Sequence, residues 1–565
     1  MPPLAAVSEV APKPVPACAR TAMHGSLVVL ALFAASTARA QDFGWVDVQP
    51  MDLSTNPSFL QSSVVVTAEG EPISARLTQS HGISGVRYQG DYAIDHRDAS
   101  GTLIWSGSVL GQVDVRDLDV DSSGAIVVCG SYRGSLFVDD EHMLSGPPSI
   151  SHAFLLKIGA DRAVDWLIDL NVAEPDLFGI EAVEIDAQDR VWTAVMTDFQ
   201  VAEIRRLDES GATLESIVQD GVRLVSGLSV DPDGTLWVAG AAGSGVHDFG
   251  GLEATTQFTY NMYVVKYEPG GTPEWVRFVE DITFQEPRIA SDGSGSAYLA
   301  GILSAAFSFG DLVAEGPDWV YDFFLTKIDP AGDFVWLREV QTEGVTGDAG
   351  PGSGSLIASP ATGDVYFAGF SRGSVDWSGE GDIPPSYGSQ DALVLAYSAS
   401  GDFRWALTAG SSGFDKADAV AVGPSGQVFL AGQVGDGADF GGQNFSGTFA
   451  NAFVASISPG DTSSLDSGDD SQRADQLLLR CEPNPTGRDA AIRFRIDQAS
   501  RVELTIYAVD GTRVMELTNT LLPAGEHFQL WDGRDSHGND VPSGVYLYRL
   551  TTDQGTSTRT LHMIR

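Results

Sequence analysis

Acidic residues beside glycine recur along the chain, and in that pattern they are cation ligands or turn formers. Asp119, Asp121 and Gly124 make one partial calcium-loop pattern, and Asp231, Asp233 and Gly234 make another. A full loop needs five or six oxygen ligands and ends in a Glu, and neither run continues that way. Asp and Gly at this spacing make hairpin turns whose carboxylates accept backbone N–H groups. No metal site is assigned. The nine His are scattered and no HExxH occurs, so the common zinc-protease route is absent. Neither GxSxG nor a GxxxxGKS/T phosphate loop occurs, so a hydrolase nucleophile elbow and a phosphate cradle are absent too. No catalytic residue and no cofactor site are assigned. The route left to catalysis is carboxylates that folding brings together in a pocket, which would suit cleavage of a polysaccharide.

The turns belong to a repeat. Alternating apolar residues, a Gly-bearing turn and a short strand with Trp recur at 92–105, 152–166, 262–275, 322–336 and 391–405. The copy at 202–215 has Glu215 in the Trp place, and a seventh, 451–460, stops at its turn. A second hairpin pattern precedes each copy, at 118–130, 183–195, 228–240, 288–301, 356–369 and 420–432, with a degenerate version at 64–70. Two hairpins give four antiparallel strands per unit. Most Trp neighbours are about 60 residues apart, with 49 from Trp166 to Glu215 and 69 from Trp336 to Trp405. That period, without helical periodicity, predicts an all-β, seven-bladed β-propeller with four-stranded blades.

The missing outer strand of the last copy is supplied from elsewhere. Residues 42–46, DFGWV, resemble 402–406, DFRWA. The N-terminal strand is therefore expected to close the last blade and protect its edge. Trp45, Trp105, Trp166, Trp275, Trp336 and Trp405 then share one ring position and pack between adjacent blades. Segments such as 245–251, 307–311, 373–379 and 437–442 read as third-strand lead-ins carrying an aromatic plug. Residues 42–458 resemble the bacterial seven-bladed β-propeller repeat family of exported proteins, which implies architecture and no particular ligand.

The remainder divides by composition. Residues 1–40 read as a signal peptide with an N-terminal extension, the start being Met1 or Met23. The apolar run Leu27 to Ala35 is too short to span a bilayer, and Ala38-Arg39-Ala40 is a small-x-small cleavage site. No transmembrane segment is expected. The propeller occupies 41–459, and 460–475 is an acidic Ser/Asp linker. Residues 476–565 alternate in six or seven short strands, a small immunoglobulin-like β-sandwich. Cys129 and Cys481 read as separate buried thiols. The tail carries Trp531, Asp532, Gly533, Gly538, Ser543, Gly544, Val545 and Tyr546. This stretch resembles the C-terminal sorting domain (type A) of type IX secretion cargo and the related immunoglobulin-like domain of flagellar hook-capping proteins. The resemblance implies engagement of secretion machinery and retention at, or release from, the cell surface.

Charge narrows the partners. The chain has 33 Lys+Arg against 76 Asp+Glu, net −43. Such a surface repels nucleic acid and anionic lipid. The expectation is a secreted or surface-exposed, non-enzymatic scaffold for a protein or glycan partner. The alternative is an extracellular polysaccharide hydrolase or lyase with carboxylates at the channel mouth.

Overall fold

The computed structural model describes residues 42–52, 62–84, 87–282, 286–303, 305–316, 322–339, 348–373, 375, 377 and 384–458 of a first compact unit. In a second unit it describes 478–482, 486, 490–496, 500–508, 512–523, 525–552 and 555–563. The units are residues 1–460 and 461–565. The signal segment 1–40 and the linker 460–475 lie outside the described residues.

The first unit is a β-propeller-like all-β fold of antiparallel four-stranded meanders. Its turns explain the repeat. In the outer turn after Arg97, the Asp98 carboxylate accepts from the N–H groups of Ser100 and Thr102, both at 2.9 Å. Gly101 then adopts φ +88°, and a Cβ there would strike the ring of Trp45. Only glycine meets both demands. The meander of Val222–Val230, Leu236–Ala242, Asn261–Tyr267 and Pro273–Glu280 is representative, with each strand bonded to the next. The second and third strands are wholly buried, as continuous apolar runs require.

Among the described residues seven such meanders follow one another. Their first strands are Ser63–Val66, the latter half of Leu103–Val120, Gly179–Ile185, Val222–Val230, Arg288–Ser291, Asp348–Ala358 and Lys416–Val422. Each first strand lies against that of the next meander, and Lys416–Val422 lies against Ser63–Val66. The seventh meander takes its fourth strand from Asp42–Pro50, which pairs antiparallel with Asn451–Ser458. Three of the aromatic-plug segments are hairpins rather than simple lead-ins to a third strand, and the fourth, 373–379, lies largely outside the described residues. Gly245–Phe249 with Glu253–Thr256, Phe307–Phe309 with Leu312–Ala314, and Ala438–Phe440 with Gln443–Phe445 form hairpins of their own. Phe249, Phe309 and Phe440 anchor them as fully buried rings. Cys129 is a buried free thiol, whereas the Cys481 side chain lies outside the described residues.

Tryptophans join meander to meander. The indole N–H of Trp45 donates to Ala99 O at 2.9 Å, Trp166 to Glu209 O at 3.0 Å, Trp275 to Pro330 O at 3.0 Å and Trp336 to Ala399 O at 3.1 Å. Each acceptor is the second residue of the next meander's outer turn. Two positions differ. Trp105 is half-buried under the Arg162 guanidinium, 5.5 Å from the ring centre, because Arg162 holds the turn's glycine place at φ +70°. Trp405 is half-buried beside Tyr366, ring centres 6.0 Å apart.

Among the described residues the second unit has seven strands in two antiparallel sheets. Leu478–Glu482, Ala490–Ile496 and Gly525–Trp531 form one, and Arg513–Leu522, Ser500–Ala508, Gly544–Thr552 and Gly555–Met563 the other. Alternate residues Val502, Leu504 and Ile506 share a core with Ile492, Phe494 and Trp531 from the opposite sheet.

The Trp junctions set the stability of the first unit. Trp336→Ala removes a buried indole and should cost about 3–5 kcal/mol. Trp336→Phe keeps most of the packing and loses the bond to Ala399, a loss of about 1 kcal/mol. Urea unfolding of the full chain followed by circular dichroism would rank the two, and equal losses would contradict this division.

Candidate functional site

The first strands of all seven meanders border one cavity of about 430 Å³. Toward this cavity the first strands end their own meanders, apart from one parallel bridge between Gly354 of the sixth and Ala419 of the seventh, so their backbone N–H groups need acceptors from elsewhere. A β-bulge between Val115 and Asp117 precedes the carboxylates that meet this need. The bulge fits because residue 130 opposite is glycine, whose Cβ would otherwise strike Asp114 O.

Asp117 accepts from its neighbour Leu118 N–H at 2.9 Å and from Val183 N–H of the third meander at 3.2 Å. Asp119 does the same with Val120 N–H at 2.8 Å and Ile185 N–H at 2.6 Å. Ser229 repeats the device two junctions on, between the fourth and fifth meanders, its hydroxyl accepting from Ser291 N–H at 3.0 Å. Arg116 bridges Asp114 at 2.8 Å and Glu181 at 2.9 Å. Arg288 donates to Ser226 O at 2.9 Å and lies 3.6 Å from Glu286. The opposite wall is apolar, from Val64, Val65, Leu356, Ile357 and Val420.

The polar side has unusual acidity. Burial pushes the Asp117 carboxyl up to about 7, against two backbone hydrogen bonds that hold it down. Burial moves Asp119 upward as well, helped by the charges of Asp117 and Asp121. Glu184 is pushed well above the ordinary range by burial first, then by Asp119 and Asp117. Among the described residues no side-chain hydrogen bond or ion pair reaches the Glu184 carboxyl, and on the opposite wall the buried Ser355 hydroxyl has no hydrogen-bond partner. Glu184 therefore holds its proton more tightly than an ordinary carboxyl does, beside two carboxyls that accept backbone N–H groups.

The acidic motifs separate by role. Asp121 caps its own turn, accepting from Ser123 N–H at 3.0 Å and Ala125 N–H at 2.9 Å. Asp233 accepts from Thr235 N–H at 2.9 Å, and Asp231 accepts from the Trp237 indole at 3.1 Å. Asp119 is not a turn residue at all but a tie to the third meander. Sequence reading missed Asp117, Asp119 and Glu184 as a group. Their one signal was the alternation of acids facing one way in residues 117–121.

The tail motif is placed in the fold of the second unit. Trp531 is buried against Tyr546, ring centres 5.4 Å apart, and its N–H donates to Arg534 O at 2.8 Å. Tyr546 Oη donates to Pro542 O at 2.9 Å. Gly533 at φ +70° accepts from Val541 N–H, and Gly538 at φ +80° closes the Asp535 turn. Asp532 is exposed and accepts from Arg534 N–H at 3.2 Å. Ser543 and Gly544 are exposed before the Gly544–Thr552 strand, and the Val545 side chain lies outside the described residues. Asp535 accepts from the N–H groups of His537 and Asn539 in an Asx turn. Among the described residues no helix is long and apolar enough to cross a membrane.

Residues 485–556 match the family model described as FlgD Ig-like domain. Comparison with curated proteins finds no match. Among solved structures, a protein of unknown function from Bacteroides caccae is 13% identical with a TM-score of 0.28, over 53% of this chain and 94% of its own. PorZ, described as an essential surface component of the type-IX secretion system of Porphyromonas gingivalis, is 10% identical with a TM-score of 0.17, over 92% and 100%. A family 43 arabinoxylan arabinofuranohydrolase from Bacillus subtilis is 11% identical with a TM-score of 0.26, over 90% and 97%.

The raised carboxyls make stability depend on pH. From about 4, the ordinary carboxylate value, the unfolded chain loses protons that Asp117, Asp119 and Glu184 still hold when folded. Stability should therefore fall as pH rises from about 4 toward 7 and level off for Asp117 above that. Asp117→Asn with Glu184→Gln should flatten the slope, since an amide oxygen still accepts N–H. Melting temperatures at pH 5 and pH 8 test this, and a double variant as pH-sensitive as the parent would refute it.

Proposed function

We propose that the first unit is a closed seven-bladed β-propeller and that the protein is an exported, non-enzymatic scaffold outside the cell or at its surface. One observation carries the non-enzymatic part: three of the cavity's carboxylates, those of Asp117, Asp119 and Glu181, are committed to the fold. Asp117 and Asp119 hold backbone N–H groups of a neighbouring strand, and Glu181 is paired with Arg116. A two-carboxylate hydrolase needs both groups facing substrate. The cavity bordered by all seven first strands supports the closed ring, as does the pairing of Asp42–Pro50 with Asn451–Ser458. The apolar run at 27–35 with its cleavage site supports export. The FlgD Ig-like match supports a second unit that attaches or assembles, and we assign it the contact with secretion machinery or the cell surface. The partner is a protein or glycan, since net charge −43 disfavours nucleic acid.

Glu184 favours a second reading. A carboxyl that holds its proton tightly beside Asp119 resembles an acid and its companion, and would suit a polysaccharide hydrolase or lyase.

Fractionation of the native host with mass spectrometry of the mature termini tests export and sorting. The expected product starts at Gln41 and is found at the surface or in the medium. A periplasmic protein with Arg565 intact would sink the sorting role. Incubation with a polysaccharide panel, read by reducing ends and by ultraviolet absorbance for lyase products, tests the rest. The scaffold reading expects no turnover, while turnover lost in Glu184→Gln would establish the second.

A further inference from the structure

One junction lacks its tryptophan and keeps everything that receives one. Where the third meander meets the fourth, Glu215 stands in the Trp place and pairs instead with Arg206 on the adjacent strand, 2.5 Å away. The receiving turn is intact. Gly271 has φ +83°, and its N–H bonds Glu268 O at 2.9 Å, as Gly101 does to Asp98 O at the Trp45 junction. Ile217 covers part of that glycine, its Cδ1 3.0 Å from where a Cβ would stand. Ile168 covers Gly211 in the same way one junction earlier, but there the Trp166 ring lies alongside at 3.3 Å. What the third junction lacks is the indole. A cavity of about 390 Å³ takes its place, lined by Glu215, Ser216, Ile217, Gly270 and Gly271.

The acceptor is kept too. Pro269 O stands where Ala99 O, Glu209 O, Pro330 O and Ala399 O take indole N–H groups elsewhere. Among the described residues none donates a hydrogen bond to it. Nor do Trp192, Trp237 or Trp531 offer a ring, since each is buried in its own core. Asp220 and Asp248 line the cavity together with Glu215, and of the three Glu215 is the one paired with Arg206. We propose that this slot binds a tryptophan side chain of a partner polypeptide, presented beside Lys or Arg. The ring would lie on Gly271 and donate its N–H to Pro269 O, with the flanking cations meeting Asp220 and Asp248. The inference rests on the scaffold reading only in supplying its partner. Turnover of a polysaccharide would sink that reading and leave the slot standing.

Calorimetric titration of the full chain with the peptide acetyl-Lys-Trp-Lys-amide tests it. Binding is expected, and it should weaken at least about tenfold when the peptide's Trp becomes Ala. It should also weaken as salt rises. Glu215→Trp fills the slot from within. That variant should melt at a higher temperature than the parent and lose the peptide. Should Glu215→Trp fail to fold, Asp220→Asn with Asp248→Asn keeps the turn acceptors and should weaken binding several-fold. Absence of binding to the parent chain, equal binding of the Ala peptide, or undiminished binding to a folded Glu215→Trp would each overturn the proposal.

Discussion

A four-stranded meander has two edges, and each carries backbone groups that its own sheet leaves without partners. In this protein the next meander provides them. On the cavity side, Asp117 and Asp119 accept N–H groups of the third meander's first strand. Toward the outer strands, indole N–H groups donate to turn carbonyls one meander on. The device also reaches from the seventh meander back to the first, because Trp45 sits on Asp42–Pro50 and bonds Ala99. Local edge satisfaction is thus also what ties the N-terminal strand to residues more than 400 positions away.

That constraint shapes the chemistry of the cavity. A carboxylate that must face a backbone N–H inside protein is drawn away from water, and its proton is held more tightly. Burial makes Asp117, Asp119 and Glu184 hold their protons more tightly than ordinary carboxyls, and for Asp117 and Asp119 that burial comes with their ties to the third meander. The same perturbation in an isolated cleft would read as catalytic. Hydrogen-bond partners separate the cases: two of the three groups are ties and one is unpartnered. The asymmetry of the wall follows from residue identity alone, with acids and Arg on the second and third strands against Val, Leu and Ile on the sixth, seventh and first.

The second unit uses its recognisable residues differently from an exposed signal. Trp531, Gly533 and Tyr546 hold one end of the sandwich together through a buried ring pair and left-handed turns. The match of residues 485–556 to the FlgD Ig-like domain thus includes residues that pack this unit. Any address they carry must be read by a partner from what remains exposed, such as Asp532 and Ser543.

The sequence alone determined the strands and turns. Alternation with period two and Asp-x-x-Gly spacing act within a few residues, so Asp98, Asp121 and Asp535 cap turns where their spacing says they should. The kinship of 42–46 with 402–406 made the partner strand of Asn451–Ser458 legible as well. Tertiary structure decided the rest. Whether Asp119 caps a turn or ties two strands depends on a bulge and on the register of a strand 66 residues away. Phe249, Phe309 and Phe440 looked like plugs before a third strand, but the surrounding rings let each anchor its own hairpin. A missing Trp at 215 was visible as a letter. That its absence leaves a lined cavity, because Ile217 alone cannot fill the place of an indole, follows only from how two meanders pack.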